Sequence, residues 1–157
     1  ADMRRIFLLE HITKQNLCVY GKKWQRNKDI ISHELNNVIH DQSIWGDELH
    51  KLISQSKIIL NITRATFYGV ETGLNLRIFE TLAAGGFLLT DYCDELNELF
   101  TIGEHIETYR NAEELRAKVK YYSEHEDERN KIARNGYEYF KKNYTWKSRM
   151  KALLPNL

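Results

Sequence analysis

The chain has 157 residues, 42% of them hydrophobic and 29% charged, with a formal net charge of +1. This balance describes a globular domain large enough to bury a core and excludes a disordered chain. The near-neutral charge makes no overall electrostatic case for nucleic acid or an anionic membrane, and no apolar run approaches the ~20 residues of a membrane span.

The opening residues, ADMRRIFLLEH, lack the long apolar core and cleavage site of a signal peptide. Residues 2–13 place Met3, Ile6, Phe7 and Leu8 as a helix would. NLCVYG, 16–21, is a short apolar run ended by glycine, the form of a buried strand feeding a loop. KKWQRNKD then reads as a basic loop, in which Trp24 either packs or stacks on a base or sugar. The segment 28–44 supports a short helix followed by a strand near 37–40. GDELHKLISQS, 46–56, sets Leu49, Leu52 and Ile53 at helical spacing behind acids in the first turn. KIILNIT, 57–63, is apolar and rich in isoleucine, which predicts a central strand.

A polar loop, RATFYGVET, leads into GLNLRIFETLAAGGFLLTD, residues 73–91. Leu76, Phe79, Leu82 and Ala83 share one helical face, predicted to pack on the sheet. Gly85 is read as the glycine that stops this helix, ahead of a strand over 87–90. DELNELF is a short helix, HIETYR (105–110) a last strand, and NAEELRAKVKYYSEH a helix capped by Asn111. Two more helices are predicted over 126–142 and 144–153.

Strands alternating with helices predict a single α/β domain over 1–157: a doubly wound, Rossmann-like parallel sheet with helices on both faces. In such sheets ligands bind beyond the carboxyl ends of the strands, which singles out the loops 21–24, 63–73 and 90–95. Gly69 and Gly73 would let the backbone approach a ligand, and the N–H groups near Leu74 and Asn75 would favour an anion such as phosphate. Gly21, Lys22, Lys23 and Arg64 would bring backbone and positive charge to a diphosphate from two loops, unless the lysines are simply solvated. Tyr68 is a further candidate for stacking on the ligand. Arg77 and Glu80, three apart, are either a surface ion pair or ligand contacts, and spacing alone favours the pair. Neither G-x-G-x-x-G after the first strand nor G-x-x-x-x-G-K-[ST] occurs. No Cys/His cluster has metal-ligand spacing, and Cys18 and Cys93 are predicted to be buried free thiols of a reducing, cytoplasmic compartment.

The motifs GLNLRIFETLAAGGFLLTDY, ELFTIGEHIETYRNAEELRAKVKYYSEHEDERNKIARNGYEYF and NYTW together resemble the C-terminal domain of GT-B glycosyltransferases. The nearest resemblance is to the bacterial group 1-like, spore-maturation-type branch. VYGKKW and ELHKLISQSKIILNIT fit the first strand and the helix–strand unit before the donor site, so the resemblance covers nearly the whole chain. It implies a nucleotide-diphospho-sugar donor, no cofactor and no bound metal, with a role such as cell-surface polysaccharide synthesis. By position, Glu80 matches the acid that accepts hydrogen bonds from the donor ribose, and Asn75 and Arg77 match polar positions facing the diphosphate. Leu74, Gly73 and Thr72 complete the donor-nucleotide loop.

Two departures from the family pattern follow. Where many retaining relatives carry a second glutamate, eight positions before the first, this chain has Thr72 beside Glu71, which leaves retaining or inverting chemistry open. The acceptor-binding N-terminal domain is expected to be a separate partner, absent from this chain, and transfer by this domain alone is not expected. The competing reading is a non-catalytic α/β module that binds a partner protein. A hydrolase reading finds no G-x-S-x-G elbow.

Overall fold

The structure, a computed structural model, describes residues 3–22, 24, 28–64 and 74–154. In chain order the described elements are α1 (Met3–Glu10), β1 (Val19–Tyr20), α2 (His33–Asn37), β2 (Ile39–His40), α3 (Gly46–Gln55), β3 (Ile59–Asn61), α4 (Leu76–Ala83), β4 (Leu88–Asp91), α5 (Asp94–Leu99), β5 (Glu107–Tyr109), α6 (Ala112–Glu124), α7 (Glu126–Asn143) and α8 (Trp146–Leu153). Every strand pairing among the described residues is parallel: β1 with β2, and β3–β4–β5 with β4 in the middle. The α/β architecture predicted from the alternation of elements is therefore the one observed.

β4 shows why the fold needs helices on both sides. Its neighbours Leu88 and Leu89 point to opposite faces of the pleat. Leu88 packs with Ile78 and Leu82 of α4 and Leu96 of α5, while Leu89 packs with Leu8 and Leu9 of α1 and Leu115 of α6. A strand buried on both faces reads as a continuous apolar run, as FLLT does. Each fully buried leucine of this kind stabilises the fold by about 1.5–3 kcal/mol.

Toward the carboxyl ends of β3–β5 the side chains turn polar and pair with one another. The Asn61 side-chain amide donates to Thr90 Oγ1 at 2.9 Å, and the Tyr109 hydroxyl donates to the Asn61 carbonyl at 3.2 Å. Three features differ from the sequence reading. β3 pairs only with β4 among the described residues, so the central place goes to β4, which is apolar on both faces. β1 is short, with Tyr20 stacked on its cross-strand partner His40 rather than buried. Cys18, just before β1, is exposed, whereas Cys93 is buried as predicted. Both departures near β1 follow from a two-residue strand, which is too short to cover a thiol on each side.

The segment 28–44 resolves into α2 and β2. Ser32 caps α2, its Oγ accepting from the Leu35 N–H at 3.0 Å while donating to Glu10 at 2.6 Å. Trp24 packs in the core with Ile6 and Leu35, which settles its packing role.

Candidate functional site

The helix α4 begins at Asn75, whose extended backbone and side chain form the N-cap. Asn75 Oδ1 accepts from the Arg77 N–H at 3.1 Å. The helix ends at Gly85, φ +72°, with Gly85 N–H donating to Leu82 O and Gly86 N–H to Thr81 O, both at 3.0 Å. That pair of bonds is the Schellman arrangement, and its left-handed residue is glycine because no Cβ has to be accommodated there.

The buried face of α4 is not the one predicted. Ile78, Thr81 and Leu82 are buried, Phe79 is partly buried, and Leu76 is 70% exposed. Thr81 disguised the face as polar, but its hydroxyl donates to the Arg77 carbonyl at 2.7 Å, which lets it enter the core with its hydrogen bond satisfied. Leu76 is thereby turned to solvent. Arg77 and Glu80 project from the outer part of the helix and form an ion pair of 3.3 Å, their side chains 36% and 26% exposed.

Of the other residues singled out in the sequence, Leu74 lies just before the cap, and Arg64 is exposed three residues past β3. Gly21 closes β1, its N–H donating to His40 O at 3.1 Å, and Lys22 beside it is exposed. Each therefore follows the carboxyl end of its strand. Asn75, Arg77 and Glu80 lie within the first two turns of one helix, and of their side chains Arg77 and Glu80 are paired. Thr72 and Gly73, with Lys23, Tyr68, Gly69 and Glu71, lie outside the described residues. Among the described residues, no group of three or more His, Cys, Asp or Glu side chains is gathered as for a metal ion.

Two features were not visible in the sequence. At the carboxyl end of β4, the Asp91 carboxylate is buried and accepts from the Thr63 N–H, the Thr63 hydroxyl and the Arg4 guanidinium. Arg4 also donates to the Thr63 carbonyl, and Arg5 to that of Ile62, so α1 is fastened over the end of β3. Charged acceptors held this way are satisfied and fixed in place.

The second feature is a groove of about 520 Å³ on the other flank of α4, lined by Leu74, Phe79, Glu95, Leu99, Tyr144 and Arg149 among others. One oxygen of Glu95, Oε2, is buried without a hydrogen-bond partner among the described residues. Burial, and next the nearby Tyr139, push the Tyr144 hydroxyl above its ordinary range. The groove joins residues up to seventy-five positions apart in the chain, which no local pattern signals.

The arrangement at the start of α4 suits an anion. The partial positive charge of the helix end favours a phosphate, and Arg77 adds a cation within the first turn. The family model described as glycosyl transferase-like matches residues 4–155 of the chain. None of the curated proteins compared with the chain matches it.

Proposed function

Since the chain belongs to the glycosyl transferase-like family, we propose that it is the donor-binding domain of a GT-B glycosyltransferase of the bacterial group 1-like, spore-maturation-type branch. In this reading it holds a nucleotide-diphospho-sugar from which a sugar moves to a glycan, lipid or protein acceptor carried by a separate N-terminal domain. The observation that supports it most directly is the Asn75-capped start of α4, which places Arg77 and Glu80 partly exposed on the same turn.

The roles follow from charge. The diphosphate sits at the helix N-terminus near Leu74, Gly73 and Thr72, where backbone N–H groups and Arg77 stabilise the negative charge that builds up as the sugar departs. Arg64 and Lys22, with Gly21, supply further positive charge and close backbone approach from neighbouring loops. Glu80 accepts hydrogen bonds from the ribose hydroxyls. Its present partner is no obstacle: a solvent-exposed ion pair is worth at most about 1 kcal/mol, less than a charge-assisted hydrogen bond to ligand contributes. No cofactor or metal enters this reading.

The test is thermal unfolding with and without uridine or guanosine diphosphate. At about a hundredfold excess over the dissociation constant, binding contributes about 2.7 kcal/mol, which raises the Tm by about 5–10 °C. A Tm unmoved by either nucleotide and by their sugar conjugates overturns the proposal.

A further inference from the structure

Only Ile62 and Thr63 separate the end of β3 from Arg64, yet three charged side chains are committed to their backbone. The Arg5 guanidinium donates twice to the Ile62 carbonyl, at 3.1 and 2.8 Å. Arg4 donates to the Thr63 carbonyl at 3.0 Å. The Asp91 carboxylate accepts from the Thr63 N–H at 3.0 Å and from the Thr63 hydroxyl at 2.9 Å. Arg4 and Asp91 are themselves joined at 2.8 Å. Every polar group of Thr63 is therefore held by one or other member of a single ion pair.

β3 is paired with β4 only as far as Asn61. Beyond a strand end the backbone ordinarily turns to water and becomes more mobile. Here it stays inside, with Ile62 and Thr63 8% and 5% exposed.

Stability does not explain so much charge in so small a place. A buried ion pair recovers in attraction roughly what it loses in desolvation, and apolar side chains of similar size would hold α1 as well. What the ion pair adds is direction, because hydrogen bonds fix the angle of a peptide and apolar contacts do not. The residue presented by this peptide is Arg64, which is exposed and makes no hydrogen bond or ion pair among the described residues.

We propose that the Arg4–Asp91 pair, acting through Thr63, is a positioning device that aims Arg64 at the donor diphosphate, a role that presupposes donor binding at this edge. β3 leads through the loop after Arg64 into α4, so Arg64 and the start of α4 lie at the same end of the sheet. The first turn of α4 holds no acid, so nothing there competes with an anion for Arg64. A cation whose backbone is already fixed loses less freedom when it takes a phosphate, and binding is tighter for it.

The test is calorimetric titration of the 157-residue chain and its variants with pyrophosphate, uridine diphosphate and guanosine diphosphate. Arg64→Ala is expected to weaken diphosphate binding by about tenfold or more. Thr63→Val keeps the side-chain size but removes the hydroxyl, and is expected to weaken binding at least about threefold. The double variant is expected to bind no worse than Arg64→Ala alone, since nothing is left to position. Thr63→Ser restores the hydroxyl and is expected to restore affinity. A purely structural role would lower the urea midpoint of Thr63→Val and leave the affinity of the folded chain unchanged.

Should Thr63→Val fail to fold, hydrogen exchange of the unsubstituted chain decides. Coupling is reciprocal, so a diphosphate held by Arg64 tightens the clamp on α1 in return. Saturating pyrophosphate is expected to slow exchange in α1 at least about threefold more than in α7, and Arg64→Ala to abolish that excess at equal saturation.

The outcomes separate two failures. If the unsubstituted chain binds none of the three ligands, the donor reading fails and this role with it. The positioning role alone fails if ligand binds but the losses from Thr63→Val and Arg64→Ala multiply. It also fails alone if Arg64→Ala changes nothing, or if α1 gains no excess protection.

Discussion

The guanidinium of Arg4 on α1 donates a 2.8 Å hydrogen bond to the carboxylate of Asp91 at the end of β4, joining residues 87 apart in sequence. Asp91 is almost fully buried and also accepts from Thr63 and, at 3.2 Å, from the Thr90 hydroxyl, so Arg4, Thr63 and Asp91 clamp the first helix to the carboxyl ends of two strands. That edge of the sheet is where the donor is proposed to bind. The clamp holds the floor on which such a site is built.

Removing one donor from a buried carboxylate is costly, because the charge stays and its solvation is not restored. Arg4→Ala is expected to lower the unfolding free energy by about 1.5–3 kcal/mol, read as a shift of the urea midpoint at unchanged slope. An unmoved midpoint would show that the Arg5 bonds to Ile62 and the packing of Ile6, Leu8 and Leu9 suffice to hold α1.

Asn75 has a structural task besides the proposed one. Asn75→Ala loses the cap and is expected to cost about 1 kcal/mol, while Asn75→Ser keeps a capping oxygen and recovers most of it. Urea denaturation separates the two variants. Equal losses in both would mean that the cap hydrogen bond contributes little to stability.

For Glu80 the discriminating measurement is calorimetric. Glu80→Ala is expected to weaken binding of a nucleoside diphosphate by about tenfold or more and to leave pyrophosphate nearly unchanged, because only the former has a ribose. Parallel losses for both ligands would assign Glu80 to the phosphate end, or merely to positioning Arg77.

Tyr122 provides a pH signature. Burial, and then its 2.8 Å hydrogen bond to the Glu107 carboxylate, raise its hydroxyl above the ordinary value of 10.0. The folded state thus holds this proton more tightly than the unfolded chain does. Its contribution to stability is complete below pH 10 and is lost as the pH rises beyond it. Tyr122→Phe is expected to cost about 1–2 kcal/mol near neutral pH and to make the alkaline decline shallower. Tyr121 and Tyr144 are raised as well, so part of the decline remains. An unchanged alkaline slope in Tyr122→Phe would exclude Tyr122 as its source.

Gly136 sits where α7 passes the loop before β5. A Cβ there would lie 2.3 Å from the His105 carbonyl oxygen and 2.8 Å from Leu82. Because the nearer obstacle is backbone, Gly136→Ala is expected to destabilise by about 1–3 kcal/mol despite the better helix propensity of alanine. A gain in stability would mean that α7 can move away from this loop freely.

Much of this protein was legible before folding. The alternation of elements, the Asn111 cap and the glycine stop at Gly85 depend on groups within a few residues of one another, and the chain shows them directly. The face that α4 buries was misread for a reason just as local: Thr81 counts as polar until its hydroxyl is seen bonded to the Arg77 carbonyl. The donor-site residues were nominated from a motif, and tertiary structure adds that Asn75, Arg77 and Glu80 share the first turns of one helix.

What tertiary structure alone decided are the meetings between distant elements. These are the Arg4–Asp91–Thr63 clamp and the groove between α4, α5 and α8. Each depends on how whole helices pack on the sheet, and side-chain periodicity within one helix carries no information about which neighbour lies across from it.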